Sequence, residues 1–143
     1  MNKKYQFEQF EEDVIEKLLD GDNDFLLILR KQYENAVKRR DFTGVGFYTN
    51  FEVPSSIPKL EGTLTFKIGD VDCQMSELKY GIGFVLFVKN GSISVLEGYT
   101  NGNEQWPEAI TDYSFSYSSG EKRDIEKLKS AMIPKNGYDI KNL

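Results

Sequence analysis

A chain of 143 residues, 39% hydrophobic, 13% aromatic and 29% charged, is long enough for one ordinary core and too apolar to be a disordered segment. One cysteine and no histidine exclude an intrachain disulfide and deprive the common metal sites, and all histidine-based catalysis, of their ligands, so no cofactor or metal is expected. The net charge of −5 argues against nucleic-acid binding, which needs clustered Lys and Arg, and suits a basic protein partner.

The acidity is concentrated at one end: residues 1–24 hold three lysines against eight acids. No apolar stretch follows Lys3 and Lys4, and the longest apolar runs, Phe25–Leu29 and Phe84–Val88, are five residues each. The expectation is therefore no signal peptide, no membrane span and a cytoplasmic setting.

From Tyr5 to Leu19 the residues Phe7, Phe10, Val14, Ile15, Leu18 and Leu19 recur at helical spacing, with Glu8, Glu11, Glu12 and Glu16 on the other side. That pattern predicts an amphipathic helix with an acidic outer face. Gly21 ends it, and Asp22 or Asn23 can cap a second helix from Asp24 to about Arg40. The second stripe is Phe25, Ile28, Leu29, Gln32, Tyr33, Ala36 and Val37, with Lys38, Arg39 and Arg40 complementing the negative end of the helix dipole. A short acidic turn between them implies an antiparallel helical hairpin.

At Phe42 the apolar period changes from 3.6 to 2. Val45, Phe47, Thr49, Phe51 and Val53 alternate with Gly44, Gly46, Tyr48 and Asn50, predicting a strand that ends before Pro54, with the glycine pair leaving room for a helix. Two glycine-tipped hairpins follow. In the first, Gly62–Ile68 and Val71–Met75 flank Gly69-Asp70; a two-residue turn would set Ile68 opposite Val71, Phe66 opposite Cys73 and Leu64 opposite Met75, all on one apolar face. In the second, Gly81–Lys89 and Ser92–Thr100 flank Asn90-Gly91, both of which tolerate the positive φ of a type I′ turn. Counting outward pairs Val88 with Ile93, Leu86 with Val95 and Phe84 with Glu97, so Glu97 is expected on an apolar face. After a polar loop over 101–108, Thr111–Tyr117 reads as a last strand. Ser118-Ser119-Gly120-Glu121 offers a capping box, and Ile125, Leu128 and Met132 form the stripe of a short helix ending before Pro134, with a loosely held tail from Lys135.

The expected architecture is a single α+β domain over 1–143: a helical hairpin over 1–40, an antiparallel sheet of five or six strands over 42–117, and a short helix and tail over 118–143.

Most motifs reduce to structure. Gly81-x-Gly83 opens like a dinucleotide fingerprint but lacks the third glycine and leads into a strand, so glycines approached by backbone or rings explain it better. Asp70 and Asp72 suggest half of a cation site, but strand parity and turn chemistry account for them. Cys73 has no histidine to activate it and reads as a buried thiol. Asn90-Gly91-Ser92 matches a glycosylation sequon and is a turn. Two features remain: the acidic helix face, and Glu97 and Tyr99 running into Glu104, Trp106 and Glu108. A lone Trp in a polar loop is either an interface anchor or a cover for the sheet edge.

The run Gly83-Phe-Val-Leu-Phe-Val-Lys-Asn-Gly, then Ser94-Val-Leu-Glu-Gly-Tyr-Thr and Glu104-Gln-Trp-Pro, resembles a recurrent pattern in small bacterial proteins of uncharacterised function, some of them associated with immunity partners of polymorphic toxins. It covers residues 42–117 and speaks to fold more than to function. The resemblance carries over no site residues. Together with the absence of catalytic constellations and the acidity of residues 8–24, it leads to the expectation of a non-catalytic cytoplasmic protein that neutralises a toxin domain by covering a basic surface. The acidic helix face and the 97–108 stretch supply Glu8, Glu11, Glu12, Glu16, Glu97, Tyr99, Glu104, Trp106 and Glu108 as candidate contacts. The alternatives are a small enzyme built on Glu97, Asp72 and Tyr99, for which no convergence is visible in the sequence, and a small-ligand or assembly module.

Overall fold

A computed structural model describes residues 3–62 and 64–132; the expected tail from Lys135 and the helix end at Pro134 lie outside the described residues. Helices α1 (Lys3–Leu18) and α2 (Asp24–Asn35) are followed by strands β1 (Val37–Phe42), β2 (Gly46–Glu52), β3 (Phe66–Ile68), β4 (Val71–Met75), β5 (Ile82–Lys89), β6 (Ser92–Thr100) and β7 (Tyr113–Tyr117), and then by helix α3 (Ile125–Ala131). The strands form one antiparallel sheet in the order β1-β2-β6-β5-β4-β7, with β3 also paired to β5. The α+β expectation holds.

The helix pair covers one face of the sheet. Phe10, Val14, Leu18 and Leu19 of the first helical segment and Leu26 and Leu29 of α2 are buried against Phe47, Phe84, Leu86 and Leu96. Burying each such side chain contributes about 1.5–3 kcal/mol, so this shared face holds the two layers together. Aromatic edges set their spacing: Phe7 meets Phe47 at 4.8 Å and Phe10 meets Tyr113 at 5.0 Å between centroids, both nearly perpendicular. The carbonyls at the end of α1 are closed by two arginines. Arg30 donates to Leu19 O and Gly21 O, while Arg123 donates to Leu18 O (2.6 Å) and Asp20 O (3.0 Å) and holds Asp70 through two 2.8 Å bonds.

Four expectations are corrected. First, the second helix stops at Asn35 rather than Arg40. Asn23 caps its start by accepting from Phe25 N, but Ala36 is already extended (φ −74°, ψ 146°), and Val37–Phe42 forms edge strand β1, the strand absent from the expected count. Its register sets Arg40 beside Thr49, on the helix-facing side where Glu11 waits. That buried ion pair, together with a full ladder to β2, outweighs the helix propensity of Lys-Arg-Arg.

Second, the 62–75 segment is not a hairpin. β3 and β4 both pair with β5, Ile68 with Leu86 and Asp72 with Gly83, so the chain runs on past Gly69-Asp70 with one extra residue instead of turning back. Leu64, Phe66, Ile68, Val71, Cys73 and Met75 are nevertheless all buried, as expected. A two-residue turn and a one-residue bulge shift side-chain parity identically, which is why the apolar pattern could not tell them apart. Gly69 serves the close approach: a Cβ there would lie 3.2 Å from Phe84 O.

Third, the β5–β6 hairpin turns at Asn90-Gly91 and starts in the expected register, Lys89 with Ser92 and Val88 with Ile93, but then slips by one, pairing Phe87 with Val95, Leu86 with Leu96 and Phe84 with Gly98. Ser94 is the extra residue. Leu96 replaces Val95 on the buried face, and Glu97 moves to the opposite face across from Val85. The slip matches Gly98 to its neighbour, for Phe47's ring occupies the space where a Gly98 Cβ would stand, 2.2 Å away. Gly44 and Gly46 do not make room for a helix: Gly46 lies against the backbone of Gly98, and a Cβ at Gly44 would meet nothing.

Fourth, α3 starts later than the capping box implies, with Asp124 accepting from Lys127 N at 3.0 Å, and Ile125 is 42% exposed, leaving Leu128 and Met132 as its buried residues.

Candidate functional site

The register places the uncovered face of the sheet in rows. Asp41, Tyr48, Glu97 and Val85 form one row across β1, β2, β6 and β5; Gly46, Tyr99, Gly83 and Asp72 form the next; Asn50, Val95, Phe87 and Lys67 form a third. No described helix covers this face, and Tyr48, Phe87 and Tyr99 stay 37–39% exposed on it. The Tyr99 ring lies over Gly83, where a Cβ would be 2.6 Å from the ring, so the glycine serves as a seat for an aromatic side chain. Tyr48 Oη donates to Glu97 Oε2 at 2.9 Å across strands, and that hydrogen bond, with the carboxylate's charge, raises the phenol pKa. The pairing answers the problem of a carboxylate on an apolar face: Glu97 lies half-buried on the opposite face, beside a phenol.

The suggested catalytic set of Glu97, Asp72 and Tyr99 shares this face, with Tyr99 and Asp72 in one row and Glu97 in the neighbouring one. The one short contact to Glu97 holds Tyr48 protonated, the opposite of activating it. Cys73 is buried and its thiol is pushed up to about 12 by desolvation, so it is not a nucleophile at neutral pH. Among the described residues no group of three or more His, Cys, Asp or Glu is arranged to hold a metal ion, and no helix is long and apolar enough to cross a membrane.

The other candidate contacts separate into surface and scaffold. Glu12 and Glu16 are exposed on the first helix, and Glu16 lines a cleft of about 420 Å³ with Asp13, Lys17, Asp20 and Phe115. Glu8 is half-buried and lies 3.7 Å from Arg40. Glu11 is wholly inside, contrary to the acidic outer face expected for it. Its carboxylate receives Arg40 Nε at 2.9 Å and Nη2 at 2.8 Å, Tyr33 Oη at 2.9 Å and Thr49 Oγ1 at 2.5 Å. Four donors fill a carboxylate's acceptor sites, so Glu11 joins both helices to the sheet and is unavailable to a partner. Desolvation first, and Glu11's charge second, push the Tyr33 phenol far up.

Glu104 and Trp106 are also scaffold. Glu104 accepts Lys79 N (3.0 Å) and Tyr80 N (2.8 Å), closing the 76–81 loop, and Thr100 Oγ1 donates to its carbonyl at 2.5 Å. Trp106 donates its backbone N–H to Gly44 O at 2.7 Å and sets its indole edge-on to Phe47 (5.5 Å) and Phe10 (6.3 Å), covering the end of the sheet. Glu108 is exposed.

Sequence reasoning puts Phe87 opposite the apolar face of its hairpin but expects that side to be partly covered, does not single out Tyr48, and sets Val95 on the apolar face. The structure leaves Phe87 and Tyr48 exposed and turns Val95 to the open side. The signal for Tyr48 is the parity of β2, which assigns it to the side opposite Phe47 and Thr49; the β6 bulge hid the places of Val95 and Glu97. No protein-family model, no curated protein and no solved structure matches the chain.

Proposed function

We propose that the chain is a non-catalytic binding protein whose partner docks on the helix-free face of the sheet, around Tyr48, Phe87, Glu97 and Tyr99. The observation that carries this reading is the exposure of three aromatic rings about a carboxylate on an uncovered, register-fixed surface. Rigid aromatic side chains with a polar tip supply contact area at low entropic cost, and a sheet holds them in place before binding. Glu97, with Asp41 in its own row and Asp72 in the next, suits a basic partner. Together with the resemblance to immunity proteins, this favours neutralisation of a toxin domain in the cytoplasm.

The acidic ridge of Glu12 and Glu16 lies on the opposite side of the molecule, so the two surfaces are separable by mutation. The test is coexpression with a toxin domain encoded beside the chain's gene, reading growth rescue and co-purification. Tyr99→Ala and Glu97→Lys are expected to abolish rescue, each weakening capture by about 30-fold or more, while Glu12→Lys/Glu16→Lys retains it. Absence of rescue and capture by the unmodified chain refutes the reading, and loss confined to the helix variant moves the interface to α1.

A further inference from the structure

β7 leaves its place in the sheet before that place ends. It pairs with β4 from Tyr113 opposite Met75 to Tyr117 opposite Val71, and Ser118 N–H adds a bond to Asp70 O at 2.9 Å. There the chain doubles back: Tyr117 and Gly120 exchange two backbone bonds of 2.8 Å, with Gly120 at φ 114°. Because β3 and β4 lie in line along the same edge of β5, the slot vacated by β7 continues beside Phe66–Ile68, and no described strand pairs with β3 there. α3 forms the far wall. The space between is a groove of about 620 Å³ whose lining includes Lys67, Ile68, Val85, Ser119, Lys127 and Leu128.

The groove's lining holds two lysines and two aspartates, and Arg123 behind Asp70 adds a third cation. Asp70 is held by Arg123 through two bonds of 2.8 Å, and Asp124 caps α3 by accepting from Lys127 N at 3.0 Å. Both carboxylates that line the groove are thereby engaged. Lys67 and Lys127 are exposed, and neither ammonium forms a salt bridge with a described residue.

We infer that this groove receives an extended, acidic segment of a partner protein, added antiparallel to β3 as the strand that β7 does not supply. Its main chain bonds the open edge, alternate apolar side chains meet Ile68 and Leu128, and its carboxylates meet Lys67 and Lys127. The groove borders the aromatic face, whose outer rows end in Val85 and Lys67, but the inference does not depend on a partner docking around Tyr48 and Tyr99.

The test is selection of a displayed random heptamer library on the full chain and on a Lys67→Glu/Lys127→Glu variant, whose changes are both exposed. The expected result is enrichment of proline-free heptamers with carboxylates at alternate positions, binding the variant about tenfold more weakly, with amide shifts at Phe66–Gly69 when one such heptamer is titrated into labelled protein. No enrichment, enrichment indifferent to the charge reversal, or shifts elsewhere overturns the inference. Displacement of the heptamers by a synthetic peptide copying residues 133–143 also overturns it, by assigning the groove to the chain itself.

Discussion

Replacing Glu11 by glutamine tests the internal ion pair on which the helix–sheet junction depends. The substitution keeps the shape and removes the charge, leaving the Arg40 guanidinium without its buried partner. Breaking a fully buried pair costs about 3–5 kcal/mol. Arg40 retains 18% exposure and has Glu8 at 3.7 Å, so some of that charge is recovered by water and by a second carboxylate. The expected cost is therefore nearer the lower bound, about 2–3 kcal/mol, a large share of the roughly 5–15 kcal/mol that holds a domain folded. For a chain of this length that corresponds to a melting temperature lower by roughly 10 °C. Urea unfolding followed by Trp106 fluorescence measures it, with an unchanged slope marking a change in stability alone. The double variant Glu11→Met/Arg40→Met removes both charges together and should be more stable than Glu11→Met by itself. A loss below about 1 kcal/mol for Glu11→Gln, the level of an exposed pair, or a double variant no better than the single one, would refute the buried network.

Gln32 is wholly buried, donating to Pro58 O (3.1 Å) and Gly91 O (3.0 Å) and accepting from Ile93 N (2.9 Å). Gln32→Leu should cost about 2–4 kcal/mol by orphaning these groups and should erase hydrogen-exchange protection at the Ile93 amide while leaving that of β7 intact. Gly98→Ala places a methyl 2.2 Å from the Phe47 ring and should destabilise by about 1–3 kcal/mol, with Phe47→Leu/Gly98→Ala recovering part of the loss in thermal melts. Stability should fall above about pH 9: burial raises the Cys73 thiol to about 12 and raises the Tyr33, Tyr113 and Tyr117 phenols, so the unfolded chain releases these protons first as pH rises. Below the unfolded values of 9.0 for the thiol and 10.0 for the phenols the contribution is complete, and Cys73→Ala should remove the earliest part of the decline in a pH series of urea midpoints. At pH 8 the native thiol should resist a disulfide reagent that labels it at once in urea.

The chain's own pattern determined most of its secondary structure and nearly all of its core. Helical spacing from Phe7 to Leu19, alternation from Val45 to Phe51 and the Asn90-Gly91 turn are local signals, each carried by residues within one element. What the tertiary structure alone decided were the contacts in which two local choices have equal energy until a distant residue arrives. The fate of Gly69-Asp70 is one such choice, since a bulge and a turn sort Ile68 and Val71 onto the same face and only β5 selects between them. The inward place of Glu11 is another: on its helix it is one of four similar glutamates, and Arg40, Tyr33 and Thr49, up to 38 residues away, make that carboxylate buried. The open aromatic face belongs to the same class. Its residues alternate with core residues, and the one-residue slip at Ser94 that carries Glu97 to Tyr48 arises from the fit of Phe47 over Gly98, a long-range packing term absent from any single stretch of chain.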